Sequence, residues 1–315
     1  MLTDNRNHPM DELKRQLQPI LNVIPRGSTV QYVDYPVYNN GGDLLIMKGT
    51  EAFFRDHGIR VHARYSVLDF PENLHIPLDH IIVLQGGGNF GDLYRVHQWL
   101  REKIVADYPK HRVVILPQTL FYQKESEFDR TAALFNRHAD LHLFVRDPQS
   151  FDAASKKFNR CSVQLAPDMA HQLWPIASKA EPAKELLRFL RTDIEKASGQ
   201  ELLEADGEGD CLDWCSLYNR VERKSISVIG RVMRRGGGVL PMDTIWSKYS
   251  EYLVDKAVRR FSEYRSIQTS RLHGHILSCL MDKPNVLLDN SYGKNSGYYH
   301  TWTSTVQTAR LHGQA

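Results

Sequence analysis

The sequence predicts an α/β protein in which parallel strands alternate with helices. Two patterns indicate this class: short continuous apolar runs recur along the chain, and segments with apolar residues at helical spacing lie between them. Uninterrupted apolar strands are typical of parallel sheets that helices cover on both faces. The length is a third observation, since 315 residues suggest two domains. The proline-containing segment 174–182 fits a linker, so we expect domains of residues 1–178 and 179–315.

In the first half of the chain, a polar or glycine-rich loop and then a helix follow most of the predicted strands. The predicted strands are the apolar runs 29–35, 60–68, 81–84, 112–116, 141–145 and 163–165. The predicted helices follow residues 43 and 92 and cover residues 127–138 and 150–158. Ligands of open α/β sheets bind at the carboxyl ends of the strands, so the intervening loops are the candidate binding segments.

The second half shows the same alternation with less regular signals. Predicted strands cover residues 225–229, 266–269 and 285–288, and predicted helices cover residues 245–264 and 271–281. Residues 186–190 fit a strand by their position in the alternation and a helix by propensity. The acidic segment 199–211 and the glycine-rich segment 234–239 are predicted as loops.

Composition and charge exclude several classes of protein. The 40 basic and 37 acidic residues give a net charge of +3, too balanced to indicate a nucleic-acid partner. No window approaches the roughly 18 apolar residues of a membrane-spanning helix, and the N-terminal segment lacks a signal-peptide core. We therefore expect a cytoplasmic protein, with association at the inner face of the membrane left open. The pair Cys211 and Cys215 lacks nearby partners for a zinc site, so we expect thiols and no metal.

Two glycine-rich loops between a strand and a helix are candidate binding segments. Residues 86–94 (GGGNFGDLY) follow one predicted strand, and residues 40–43 (NGGD) follow another. Glycine lets a ligand approach the backbone, and the N–H groups at a helix start favour an anion or a sugar hydroxyl. The alternative is a pair of tight turns in which Asp92 and Asp43 cap the following helices.

Two arginines and a histidine are the candidate anion ligands. Arg146 ends an apolar strand, and its planar fork matches a carboxylate or phosphate, although a pair with Asp147 is equally compatible. In the segment TSRLHGH, Ser270 is the predicted helix cap, which places Arg271 and His273 in the first helical turn. Cations there oppose the helix dipole, a cost that a bound anion would offset. A capped helix with incidental histidines is the alternative.

Six segments together resemble the polysaccharide pyruvyl transferase family, and most closely its exopolysaccharide-biosynthesis members. They span nearly the whole chain and are NGGD with its following helix, GGGNFGDLY, ILPQT (115–119), VRDPQS (145–150), APDMA (166–170) and SRLHGHILSCL (270–280). The resemblance implies two Rossmann-like domains that face each other across a cleft, an arrangement of the GT-B type. It also implies phosphoenolpyruvate as the donor and a pair of sugar hydroxyls as the acceptor.

The resemblance also implies roles for particular residues. Arg146 and the Arg271-Leu272-His273 turn would hold phosphoenolpyruvate, and the polar loops of the first domain would face the acceptor sugar. Ketal formation needs a proton at C3 of the enol ether, and we assign His273 as the general acid. Residues expected on the acceptor side or in its loops are Asn40, Asp43, Gly87, Gly88, Asn89, Asp92, Gln118 and Asp168. No step of this chemistry requires a metal or a cofactor.

The predicted function is transfer of pyruvate from phosphoenolpyruvate to a sugar of an exopolysaccharide or of its lipid-linked precursor, forming a pyruvate ketal. Two alternatives stay open at this point. A nucleotide-sugar glycosyltransferase of the same architecture would be saturated by a nucleotide sugar instead. A non-catalytic adaptor of the polysaccharide pathway would be indifferent to substitution of His273.

Overall fold

A computed structural model describes residues 8–192, 209–235, 242–289 and 293–313 of the chain. It confirms the α/β class, because two separate and wholly parallel β-sheets are formed, with helices between the strands. In the described part of the chain, no helix is both long enough and apolar enough to cross a bilayer.

The first sheet contains all strands up to residue 165. They are β1 (Thr29–Val33), β2 (Arg60–Tyr65), β3 (Ile81–Leu84), β4 (Gly87–Gly91), β5 (Val113–Phe121), β6 (Leu141–Val145) and β7 (Ser162–Leu165). Their order is β2-β1-β3-β5-β6-β7, and β4 pairs with the second half of β5. The order therefore reverses between β1 and β3. Such a reversal opens a crevice at the carboxyl ends of the two strands, where ligands of this class of sheet bind.

The second sheet repeats this arrangement. Its strands are β8 (Lys184–Phe189), β9 (Asp210–Leu212), β10 (Tyr264–Thr269), β11 (Asn285–Leu287) and β12 (Ala309–Leu311). Their order is β12-β11-β10-β8-β9, so the order reverses between β8 and β10. Each sheet therefore has one crevice, and the loops that follow β8 and β10 border the second one.

Helices cover the sheets because their apolar residues recur at helical spacing and face inward. In the first half they are α1 (Pro9–Arg15), α2 (Gly41–Asp56), α3 (Arg95–Asp107), α4 (Glu125–Phe135) and α5 (Pro148–Lys157). In the second half they are α6 (Trp214–Leu217), α7 (Arg220–Arg234), α8 (Met242–Ser262), α9 (Leu272–Leu280) and α10 (Lys294–Tyr298). Helix α2 is buried along most of its length because it packs on α8, on α9 and on the turn Met169–Leu173.

Side chains join the two halves of the chain directly. The indole N–H of Trp246 in α8 donates to the carbonyl of Pro36, 2.9 Å away. The indole N–H of Trp302 donates to the carbonyl of Arg146 at 2.8 Å. One apolar core includes residues of both sheets, and a second core lies between residues 33 and 158 of the first sheet. The division at residues 178 and 179 stays a prediction.

The predicted strand at residues 225–229 is wrong, since these residues lie in the middle of α7. The helix begins with a capping box in which Asn219 accepts from the backbone N–H of Glu222 and the Glu222 carboxylate accepts from that of Asn219. The buried residues Ile226 and Met233 follow at helical spacing. The short apolar run is therefore part of a helix. Periodicity over five residues cannot distinguish a strand from one face of a helix.

The segment GGGNFGDLY is not a simple turn from strand to helix. Residues 87–91 form β4, and the helix begins only at Arg95. Gly91 has a φ of 129°, and a side chain there would meet the backbone of Phe121. Glycine is therefore required by the close approach of β4 to β5.

Three further sequence predictions concern segments of the second half. Residues 186–190 are largely in strand β8, so the position in the alternation was the better guide. Most of the predicted loop 199–211 and residues 236–239 of the glycine-rich segment lie outside the described residues.

Candidate active site

A cavity of about 320 Å³ lies where the carboxyl ends of both sheets come together. The loop after β1, strand β4, strand β5 and the end of β6 contribute to one side of it, and the residues after β8 and β10 contribute to the other. Both crevices predicted by the strand orders therefore open into the same cavity. Its polar lining comprises Tyr38, Asn40, Asp43, Asn89, Tyr94, His97, Thr119, Arg146, Arg191, Arg271, His273, Lys294 and Asn295.

The lining is strongly cationic. Arg146, Arg191, Arg271 and Lys294 all contribute to it, whereas Asp43 is the one carboxylate among the lining residues that the structure describes. Burial, together with the charges of Arg146 and Arg191, lowers the pKa of Lys294 to about 8. Mutual repulsion of these cations would be relieved by a bound anion, so the cavity is suited to a small, highly charged anion.

Arg146 is held rigidly at the end of β6. Its Nε donates to the hydroxyl of Thr119 at 2.9 Å, and Nη1 donates to the carboxylate of Asp168. The alternative pairing with Asp147 does not occur, because Asp147 instead caps α5 by accepting from the backbone N–H of Ser150. The position of the fork in the cavity is therefore fixed before any ligand binds.

Arg271 is fixed by a different carboxylate. Its Nε and Nη2 each donate at 2.7 Å to the carboxylate of Asp213, which is itself buried. The prediction that Ser270 caps the following helix is wrong. The hydroxyl of Ser270 accepts from the backbone N–H of Arg191, and α9 begins at Leu272 without a side-chain cap. Uncapped N–H groups at the start of a helix favour an anion, and Leu272 lines the cavity.

His273 lies between the two halves of the molecule. Its Nε2 is 3.2 Å from the carboxylate of Asp168, the same group that holds Arg146. Burial alone would raise the pKa of Asp168, but the charges of His273 and Arg146 hold that pKa well below its usual range. Asp168 is therefore ionised and orients both side chains from behind the cavity. The Nδ1 side of the ring packs against Gly42 at the start of α2, where a Cβ would lie only 2.8 Å from Nδ1.

His275 points away from the cavity, as its spacing from His273 predicts. Its ring nitrogens are hydrogen-bonded to the side chains of Asn285 at 2.6 Å and Thr303 at 2.8 Å. Burial lowers the pKa of His275 to about 4. This histidine is therefore a neutral structural residue of the second sheet.

The residues predicted for the acceptor side fall into two groups. Asn40, Asp43, Gly88 and Asn89 line the cavity. The others do not, and these are Gly87, Asp92, Gln118 and Asp168.

Two of the residues outside the cavity have clear structural roles. Asp92 accepts from the backbone N–H groups of Gln123 at 2.8 Å and Lys124 at 2.9 Å, so it fixes a surface loop. Gln118 donates at 3.2 Å to Asn89 and thereby supports a cavity residue from behind.

Asp43 is a partly buried acid at the start of α2. The cap of this helix is Asn40 and not Asp43, since the Asn40 side chain accepts from the backbone N–H of Gly42. The Asn40 amide also donates to the Asp43 carboxylate at 2.7 Å. Burial raises the pKa of Asp43, with His273 and His97 opposing that rise. A carboxyl in this environment can accept or release a proton more readily than an exposed aspartate.

Sequence reasoning missed several cavity residues, among them Arg191, Lys294 and His97. Arg191 follows β8, so an unambiguous assignment of that strand would have found it. His97 has no signal in the sequence, because it lies inside α3 and reaches the cavity from there.

His97 is paired with a buried carboxylate. Its Nδ1 is 2.6 Å from Asp34, a residue with a φ of 61° directly after β1. Burial would lower the pKa of His97, but Asp34 raises it. Asn89 also donates to Asp34 at 3.3 Å, which connects this pair to the glycine-rich segment.

The described ranges contain no group of three or more His, Cys, Asp or Glu side chains that could hold a metal ion. Cys211 and Cys215 are both exposed thiols there. That the reaction needs neither metal nor cofactor stays a prediction.

Comparison with known proteins decides the family. Residues 40–292, which include both glycine-rich segments, Arg146 and the Arg271–His273 turn, match the family model "Polysaccharide pyruvyl transferase". The chain belongs to the polysaccharide pyruvyl transferase family. It is therefore an enzyme that transfers a pyruvyl group in polysaccharide metabolism.

Individual relatives agree with this assignment. The chain is 47% identical over 307 residues to EpsO of Bacillus subtilis (strain 168), covering 96% of this chain and 94% of EpsO, whose name places it among the pyruvyl transferases. It is 28% identical over 286 residues to pyruvyl transferase 1 of Schizosaccharomyces pombe, covering 87% of this chain and 69% of the yeast protein. An uncharacterised Klebsiella pneumoniae protein of known crystal structure shares the fold, with a TM-score of 0.62 at 19% identity over 95% and 98% of the two chains.

Proposed function

We propose that this pyruvyl transferase uses phosphoenolpyruvate to form a pyruvate ketal on a sugar of an exopolysaccharide or of its lipid-linked precursor. One observation carries the proposal: Arg146 from the first sheet and the Arg271–His273 turn of the second line a single cationic cavity. We further propose the cytoplasm as the place of reaction, because phosphoenolpyruvate is made there, and a GT-B-like arrangement of the two sheets.

The anionic groups of phosphoenolpyruvate match the cationic groups that line the cavity. Phosphoenolpyruvate carries a phosphate and a carboxylate, and the guanidinium forks of Arg146 and Arg271 can each meet one of them. The uncapped start of α9 adds backbone N–H groups for the phosphate. Lys294 supplies a further positive charge beside Arg146. Both arginines are already oriented by Asp168 and Asp213, so little ordering is left for binding.

The proposed reaction begins with protonation of the donor at C3. In the proposed first step, the imidazolium of His273 delivers a proton to C3 of phosphoenolpyruvate. C3 becomes a methyl group, and an oxocarbenium-like centre is left at C2. Asp168 accepts a hydrogen bond from Nε2 of His273, and its carboxylate stabilises the charged ring.

The acceptor then adds twice at C2. The first sugar hydroxyl forms a C–O bond and loses its proton, after which the C2–O bond to phosphate breaks and phosphate leaves. A second hydroxyl of the same sugar adds to the resulting oxocarbenium and loses its proton, which closes the ketal. Of the two protons released, one restores the general acid and the other leaves with phosphate. Asp43 and His97 line the cavity and are the bases we propose.

The test uses the purified chain with phosphoenolpyruvate and a saccharide acceptor. Phosphate release is measured together with mass spectrometry of the acceptor, and we expect phosphate and pyruvate ketal in equal amounts. Sugar transfer from a nucleotide sugar, or phosphate release without ketal, would contradict the proposal. In the host, exopolysaccharide made without this protein should lack the pyruvate ketal.

Donor binding tests the anion clamp separately. Arg146→Ala and Arg271→Ala should each weaken phosphoenolpyruvate binding by roughly tens- to a thousand-fold, as expected for loss of a buried charge-assisted contact. Arg→Lys should restore binding only in part, because the planar fork is lost. Arg137→Ala, at an exposed arginine outside the cavity, is the matched control. Unchanged affinity in both cavity variants would reject the clamp.

A further inference from the structure

We propose that the outer face of helix α7 docks this protein on an anionic membrane surface, next to the mouth of the active-site cavity. Docking would bring the enzyme to a lipid-linked acceptor, and this role rests on the proposed function. The docking itself rests on charge, exposure and position, which are independent of the reaction.

Helix α7 is much more basic than the rest of the chain. Residues 220–235 contain six basic residues and one acidic residue, a local net charge of +5 in a chain whose total is only +3. The one acid, Glu222, is turned inward, where it is buried and paired with Lys256 at 2.6 Å. Over the described residues, no ion pair joins the six basic side chains to a carboxylate.

Elsewhere on the surface, many basic side chains have acidic partners. Arg130 pairs with Glu127 and Glu102, and Lys157 pairs with Glu125 and Asp129. A basic cluster without internal counter-charges creates a positive field that extends into solvent, and this field attracts anionic surfaces.

The outer face of α7 also carries apolar groups, which favours a lipid surface over a soluble polyanion. Val221 is 72% exposed and Val228 is 44% exposed. With Lys224, Arg231 and Arg235 they recur every three or four residues, so they form one stripe along the helix. Alternating valine and basic side chains suit the headgroup region, where the charges meet lipid phosphates and the apolar groups enter the acyl boundary.

The position of α7 connects this surface to the active site. Gly230 on its inner face approaches Leu68 and Val37 so closely that a Cβ would lie 3.1 Å from a Leu68 methyl group. A groove there is lined by α7 and by Tyr38, and Tyr38 also lines the active-site cavity. An acceptor anchored in a bilayer beneath α7 would therefore have a short path to the cavity.

The test is co-sedimentation of the full chain with vesicles. Vesicles of phosphatidylcholine alone are compared with vesicles that also contain phosphatidylglycerol, at low and at high sodium chloride. We expect binding only to the anionic vesicles, and loss of binding at high salt because the attraction is screened. The variant Lys224→Glu/Arg231→Glu/Arg235→Glu should bind these vesicles at least roughly a hundred-fold more weakly, since three basic contacts are lost.

The matched control reverses three exposed basic residues elsewhere, in the variant Lys110→Glu/Arg137→Glu/Lys156→Glu, and should bind as the wild type does. Equal losses in the two triple variants would overturn the proposal, because net charge alone would then explain them. Equal binding to both kinds of vesicle, or binding of soluble heparin but not of anionic vesicles, would overturn it as well. Turnover with a soluble saccharide acceptor should be unchanged in the α7 variant. That readout separates failure of docking from failure of the proposed function.

Discussion

At the scale of single residues, His273 has the geometry of a general acid held by a carboxylate. Its Nε2 is 3.2 Å from Asp168. If it supplies the proton to the donor, His273→Gln should lower turnover by roughly 10²–10⁴-fold, because glutamine can hydrogen-bond but cannot transfer a proton. Steady-state phosphate release measures the effect, and His312→Gln at an exposed position is the control. A His273→Gln enzyme with nearly full turnover would show that the acid is another group.

Two other histidines make stability depend on pH. Burial lowers the pKa of both His171 and His275 to about 4 in the folded protein, against a usual value of 6.5. The unfolded chain therefore binds more protons as the pH falls from 6.5 towards 4, so the free energy of unfolding decreases over this window and is fully regained above it. At a pH about 1.5 units below 6.5, each histidine should contribute roughly 2 kcal/mol of destabilisation.

Denaturant unfolding at several pH values measures this dependence. His171→Gln should flatten it by about half of the combined effect of the two histidines, because glutamine carries no titrating group. The pKa of Asp168 is held below its usual range, so this carboxylate changes the free energy of unfolding at lower pH values than the two histidines do. A His171→Gln protein whose free energy of unfolding falls with pH as steeply as that of the wild type would contradict the burial of His171 as a neutral group.

At the scale of elements, the sequence predicted most strands and helices because their patterns are local. Continuous apolar runs located β3 and β6, and Arg146 was identified as a cavity residue from its place at the end of β6. The predictions for two segments were wrong for physical reasons. The five residues 225–229 are too short for their periodicity to separate helix from strand, and pairing of β4 with β5 is a contact between distant residues.

The candidate site was predictable only where its residues follow strands. The strand-end rule and the family motifs led to Arg146, Arg271 and His273. The partner of Arg271, Asp213, lies 58 residues away, and nothing in the local sequence indicates that pairing. His97 reaches the cavity from inside a helix, and only the packing of α3 against β4 brings it there.

The start of α2 is the element on which the position of His273 depends most directly. A Cβ at Gly42 would lie 2.8 Å from Nδ1 of His273, so Gly42→Ala should displace the ring from Asp168. We expect turnover to fall by roughly ten- to a hundred-fold, as for other small displacements of a catalytic group, with little change in thermal stability. Gly297→Ala in α10 is the control, because no heavy atom lies within 4 Å of its Cβ position. Equal turnover in the two alanine variants would show that the ring tolerates the contact.

At the scale of the whole molecule, the two sheets are joined through both the core and the site. One apolar core contains residues of both sheets, and the cavity needs walls from each. Hydrogen bonds cross between them, from Lys48 to the carbonyl of Ser247 at 2.9 Å and from Trp302 to the carbonyl of Arg146 at 2.8 Å. Elements that share a core and a site in this way should unfold together and bind their ligand as one unit.

We therefore expect a single calorimetric unfolding transition, with equal van't Hoff and calorimetric enthalpies, that phosphoenolpyruvate moves to higher temperature. Trp302→Phe removes the hydrogen bond to the backbone of Arg146 while it keeps an aromatic ring. It should cost about 1 kcal/mol of stability and weaken phosphoenolpyruvate binding, because the arginine of the first sheet loses its support from the second. Trp99→Phe is the matched control, since Trp99 is 57% exposed and lies outside the cavity. Two separate transitions, only one of which responds to phosphoenolpyruvate, would show that the sheets are independent and that one of them holds the donor alone. Unchanged donor affinity in Trp302→Phe would show that Arg146 does not depend on this contact.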